Sequence, residues 1–174
     1  MKPSDLVVTP TGLRFMGRVF PCTVGRGGIT GQKREGDGCT PAGTHRIVGM
    51  LFRPDRIAAS ALPDWAVPIG LNDLWCDDPD SEDYNLMVRA PFAGSHERLR
   101  RADPMYDLIL ITDWNWPVAA WRRGSAIFVH TWRRPGAGTA GCVALSRENL
   151  IWIANRIRHE TRLVVPQATL PKAL

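Results

Sequence analysis

Residues 128–145 read FVHTWRRPGAGTAGCVAL. Ala126-Ile127-Phe128-Val129 is a short apolar, β-prone run that reads as a buried strand ending at His130. Pro135-Gly136-Ala137-Gly138-Thr139-Ala140-Gly141 is loop chemistry. Val143-Ala144-Leu145 then resumes an apolar run, and Ser146 is placed to cap a helix. Two ordered elements joined by a tight loop can bring the His130 imidazole and the Cys142 thiol within hydrogen-bond reach. That is the arrangement by which a base activates a cysteine nucleophile. Gly141, just before the thiol, lets backbone approach a substrate closely.

Outward from this stretch the chain reads as β structure. Leu6-Val7-Val8-Thr9, Leu13-Arg14-Phe15-Met16 and Val19-Phe20 are short runs divided by turn residues. Thr44–Phe52 and Tyr106–Thr112 (YDLILIT) read as longer strands, the second as the most convincing buried one. Residues 73–97 read as a long irregular insertion carrying five acids between Asp77 and Asp83. After Ser146, Leu150, Ile153, Ala154 and Ile157 follow the spacing of one helix face. Leu163-Val164-Val165 is expected as a last edge strand. The fold class is therefore mainly β with one C-terminal α-helix, in a single domain over residues 1–174.

Bulk properties exclude several functions. A net charge of +5 favours an anionic partner, but no dense Lys/Arg run with interleaved aromatics supports nucleic acid as that partner. Residues 1–24 lack the apolar run of roughly 7–15 residues that a secretory signal needs. No stretch approaches the roughly 18 apolar residues of a membrane span. Cys22, Cys39, Cys76 and Cys142 form no CxxC pair, so free thiols are expected and neither a metal site nor a cofactor is. A GxxxxGK[ST] phosphate loop is absent.

A free thiol with a pKa near 8.5 is only a few per cent thiolate at neutral pH, so Cys142 needs a base. His130 is the candidate, and the backbone carbonyl of Thr131 can accept from its second ring nitrogen and fix the tautomer. The result is a Cys-His-carbonyl triad without a carboxylate. His96, in GSHERL, is a rival base expected at the surface. His45 reads as structural, and His159 as a last-turn residue complementing the helix dipole.

IFVHTW…GTAGCVAL resembles the signature of the YkuD-type L,D-transpeptidase catalytic domain: a histidine after a strand, a loop, then a Ser/Thr-His-Gly-Cys block. KREGDGCTPAGTHRI is similar to the family's Thr-Pro-x-Gly segment, matched by Thr40, Pro41 and Gly43. DYN at 83–85, SHERL at 95–99 and YDLILI at 106–111 resemble a proteobacterial branch. The resemblance runs from about residue 20 to 160. Three features depart from the pattern. Ala140 stands where a second histidine is usual, Ala144 replaces an Arg or Asn, and His130 and Cys142 are only twelve residues apart.

The resemblance implies a β-sandwich-like domain whose active site lies under a lid. It further implies that Cys142 attacks the carbonyl of an L-centre joined to a D-residue in a peptidoglycan stem peptide, with His130 moving the proton. The N–H groups of Gly141 and Cys142 would hold the oxyanion. An acceptor amine would then resolve the thioester into a cross-link, 3–3 by family default, with 1–3 open. Trp132, Arg133, Thr139, Tyr84, Asn85 and His96 are the expected substrate contacts. Carbapenem-type inhibitors are expected ligands, and the periplasm the expected location. A hydrolase using the same thioester (an L,D-carboxypeptidase or endopeptidase) and a non-catalytic wall-binding module remain as alternatives.

Overall fold

Turn residues cut the β-prone runs into short strands. The structure, a computed structural model, describes residues 1–167. Its N-terminal strands are β1 (Leu6–Thr9), β2 (Gly12–Phe15), β3 (Arg18–Phe20), β4 (Cys22–Thr23), β5 (Ile29–Thr30), β6 (Thr40–Pro41) and β7 (Gly43–Phe52). There follow β8 (Val67–Pro68), β9 (Asp73–Cys76), β10 (Met87–Arg89), β11 (His96–Arg98) and β12 (Leu108–Thr112). The C-terminal part holds β13 (Phe128–Thr131), β14 (Val143–Leu145), helix α1 (Arg147–Ala154) and β15 (Arg162–Val165). The β2–β3 hairpin turns on Met16-Gly17, both at positive φ. Such a two-residue turn matches the twist of its strands and suits glycine at the second position.

The main sheet runs β3-β2-β1-β15-β7-β12-β13-β14-β4, with β8 beside β7. Its two ends are joined through Pro21 alone, since β3 stops at Phe20 and β4 starts at Cys22. The sheet therefore curls around its own interior, giving the barrel- or sandwich-like β fold with one helix near the C-terminus. Leu163-Val164-Val165, expected at an edge, instead lies inside the sheet. β15 pairs parallel with β1 and antiparallel with β7, and a run this apolar is stable there because both neighbours satisfy its backbone.

Strand alternation sorts the side chains into two clusters. Leu108 and Leu110 of β12 enter the curled interior with Val129, Val143 and Leu145, where Leu150, Ile153 and Ala154 of α1 close the end. Ser146 caps this helix, its Oγ accepting from Asn149 N at 3.3 Å. The helix stops at Ala154, so His159 lies beyond it rather than in its last turn, with Nε2 3.1 Å from the Val48 carbonyl. Tyr106 likewise falls outside β12, in a one-turn 3-10 helix over Pro104–Tyr106.

On the opposite face, Ile109, Phe128 and Cys142 pack with Leu51, Ile69, Trp75, Leu99 and Tyr106. Trp75 comes from a second sheet, β10-β9-β11, built from the residues expected to be an irregular insertion. All four β9 side chains are buried, so the segment shows no alternation, and its partner strands are three residues each. Those properties hide a strand from pattern reading. This small sheet forms one wall over the outer face.

Candidate active site

Register determines which side chains can meet. β13 and β14 run parallel with Val129↔Val143, His130↔Ala144 and Thr131↔Leu145 paired. Val129, Val143 and Leu145 point into the interior, so His130 must point outward, along with Phe128, Cys142 and Ala144. Cys142, one residue before β14, lies beside Phe128, whose N–H donates to Sγ at 3.4 Å. His130 and Cys142 are thus diagonal neighbours on one face, a relation of roughly 7–8 Å between strands.

Both groups are held in place. His130 Nδ1 is 2.8 Å from the Thr131 carbonyl. A carbonyl only accepts, so Nδ1 carries the hydrogen and Nε2 is left as the basic nitrogen. The Tyr106 ring packs edge-on against the imidazole at 5.2 Å. The Cys142 thiol donates to the Ala126 carbonyl at 3.0 Å, and no hydrogen bond joins it to His130. Burial pushes the thiol up to about 12, with the Glu97 charge adding to the rise and the Phe128 N–H and Lys33 opposing it. Burial also lowers His130 to about 4, against the pull of the Thr131 carbonyl. The resting pair is a neutral thiol and a neutral imidazole, not an ion pair.

Threonines fix the loop that carries the cysteine. Thr139 Oγ1 donates to the Cys142 carbonyl at 2.6 Å and accepts from Gly141 N at 3.1 Å. Thr40 Oγ1 donates to the Gly141 carbonyl at 2.7 Å and accepts from Gly25 N at 2.8 Å. Gly141 has φ +151°, and a Cβ there would stand 2.9 Å from the Cys39 carbonyl oxygen. Only glycine fits that approach.

The thiol and imidazole open onto a cavity of about 450 Å³, within the usual range for small-ligand sites. Arg26, Lys33, Arg101, Arg133 and Arg134 contribute cationic lining, and Glu35, Asp77 and Glu97 acidic lining. Arg133, Thr139 and Gly141 are on this wall, as is Ala140. Ala144 is fully buried directly beside His130, where a longer side chain would require repacking.

Four of the expected substrate contacts lie elsewhere. Trp132 is half-buried outside the cavity wall and ties its N–H to the Leu145 carbonyl. His96 lines a separate cavity with Phe92 and Arg98, its Nδ1 2.7 Å from the Gly94 carbonyl. Tyr84 is buried, its hydroxyl donating to Glu35 and accepting from Gly124 N. Asn85 is 3% exposed. Its Oδ1 accepts from Trp75 Nε1 and Ala126 N, and its amide donates to the Trp114 and Asn115 carbonyls. Asn85 therefore sits behind the site, holding Ala126, whose carbonyl accepts the hydrogen bond of the thiol.

The sequence matches the family model described as L,D-transpeptidase catalytic domain, YkuD, over residues 9–165. The chain belongs to the YkuD family. No curated protein and no solved structure matches it. YkuD domains are cysteine-dependent L,D-transpeptidases that act on peptidoglycan peptides and are in general extracytoplasmic. Among the described residues no helix is long and apolar enough to cross a membrane, and no three His, Cys, Asp or Glu side chains gather as a metal-binding group. All four cysteines are free.

Sequence reasoning missed Glu97, Tyr106 and the clamp made by Thr40. Glu97 and His96 are adjacent in a strand, so only one of them can face the thiol. Reading the segment as a loop removed that constraint.

Proposed function

We propose that this protein is a peptidoglycan L,D-transpeptidase in which Cys142 is the nucleophile and His130 the proton carrier. The observation that carries the reading is the placement of Sγ and imidazole on one sheet face, opening onto a single cavity with a cationic rim. The donor stem peptide lays its carboxylates against Arg133 and Arg134, and the carbonyl of its L-centre approaches Sγ. The thiol proton passes to His130 Nε2 as the C–S bond forms, because neither charged form is stable beforehand in this buried setting. The same proton then leaves with the D-residue's amine.

The developing oxyanion is received by the Cys142 N–H. Gly141 N–H joins it only after turning from Thr139 Oγ1, which makes Thr139 the residue that regulates this donor. One such donor is worth roughly 100- to 1000-fold in rate. An acceptor amine resolves the thioester, giving a 3–3 link when the donor bond is the one after the third stem residue. The compartment of this work is the periplasm.

The test is incubation with purified disaccharide-tetrapeptides and mass spectrometry of the products. Cross-linked dimers that disappear with Cys142→Ala are expected, and the fragment masses identify the linked residues. Monomers alone would make the protein an L,D-carboxypeptidase or endopeptidase. No turnover would leave a wall-binding module.

A further inference from the structure

The acylation step uses Cys142 and His130, but resolution by an amine has a separate requirement. A primary amine arrives as an ammonium ion and cannot attack until it loses a proton. His130, held near 4 by burial, is a weak base for that task in its resting environment.

We infer that Glu97 is a further catalytic residue, the base that receives and deprotonates the acceptor ammonium. This rests on the transpeptidase reading above. β11 pairs with β9 so that Glu97 lies opposite Trp75, and the Trp75 ring packs on Phe128 at 4.9 Å. Phe128 is the residue whose N–H reaches Cys142 Sγ, so the small sheet delivers Glu97 to the wall of the thiol's own cavity. Glu97 Oε2 accepts from the Tyr106 hydroxyl, and the Tyr106 ring also contacts His130. Tyr106 is thus a positioning residue that links base and carboxylate. Arg101, on the same cavity, gives its hydrogen bonds to Asp103 at 2.7 Å and forms no ion pair with Glu97; its charge favours the Glu97 carboxylate, but burial outweighs it.

A second observation points to a cation here. Asp77 also lines the cavity, and its Oδ1 is buried without a hydrogen-bond partner. Buried acceptors lacking a donor are costly and uncommon. An ammonium carries three donors and would satisfy it. Burial raises the Glu97 carboxyl above its ordinary value, which moves it toward the range in which a carboxylate is an effective base at neutral pH.

The step balances. Glu97 takes one proton from R–NH3⁺, and the free amine attacks the thioester carbon. The new C–N bond forms, His130 takes a second proton from nitrogen, and the C–S bond breaks. The thiolate recovers that proton from His130, and Glu97 releases its own to solvent.

The experiment compares wild type with Glu97→Gln in three assays: carbapenem acylation by intact mass, dimer formation from tetrapeptide stems, and release of the acyl group by hydroxylamine. Hydroxylamine is largely unprotonated at neutral pH and needs no base to become nucleophilic. The expected result is a loss of dimer formation of about tenfold or more, with acylation and hydroxylamine release changed less than about threefold. Glu97→Asp, which keeps the carboxylate, is expected to fall between the two and substitutes for a Gln variant that fails to fold. Unchanged dimer formation overturns the role of Glu97, as does an equal loss in all three assays. A wild type that is acylated but yields only monomers overturns it while leaving Cys142 as nucleophile. A wild type that is not acylated removes both.

Discussion

At the residue scale the chemistry turns on where one proton rests. The Cys142 proton stays on sulfur, its S–H directed at the Ala126 carbonyl, and the thiol is pushed up to about 12, so the free protein holds almost no thiolate at neutral pH. Alkylation of Cys142 by iodoacetamide is expected to keep rising well past pH 9, where an ordinary thiol levels off. A plateau near pH 8.5 would mean that the sulfur is exposed to solvent. Thr40 belongs to this scale too, as its hydroxyl satisfies two buried backbone groups of the catalytic loop and its partner segment. Thr40→Val keeps the shape and leaves both unpaired. A stability loss of about 1–3 kcal/mol is expected in denaturant titration, with slower acylation of Cys142.

At the element scale, alternation explains both what was legible and what was not. β13 and α1 were readable because an apolar run ended at His130 and a Ser cap preceded a 3.6-residue repeat. The small sheet was not, because β9 buries every side chain and β10 and β11 are too short to show a period. Tyr84 and Asn85 do lie in the turn between β9 and β10, yet the Asn85 side chain makes four hydrogen bonds that tie Trp75 of this sheet to Ala126 and to the Trp114 and Asn115 carbonyls. Asn85→Asp would set a carboxylate against two carbonyls. It is expected to cost at least about 2 kcal/mol and to slow acylation without touching substrate. Ser146→Ala removes only a helix cap and is expected to cost about 1 kcal/mol, with acylation unchanged.

At the scale of the whole molecule, the packing over the outer face of the main sheet buries the imidazole so well that stability depends on acidity. The unfolded chain takes up the histidine proton near 6.5, and native His130 near 4. Stability from this group is therefore full above 6.5 and is lost as pH falls through that window, by up to about 1.4 kcal/mol per pH unit. Glu97, raised by burial, acts in the opposite sense. A shallower slope of stability against pH between 6.5 and 4 is expected for His130→Gln than for wild type. Identical slopes would place the imidazole in solvent. That thiol and imidazole share one sheet face and one cavity was legible because a strand pair close in sequence sets it, but the hydrogen bond expected between them is not formed. The cavity's acidic lining was not, since Glu35, Asp77 and Glu97 come together only through long-range packing. The most direct test of the nucleophile is intact-mass analysis after incubation with a carbapenem. The account predicts one covalent adduct, mapped to Cys142 and absent in Cys142→Ala; an adduct on Cys22, Cys39 or Cys76, or none at all, would contradict it.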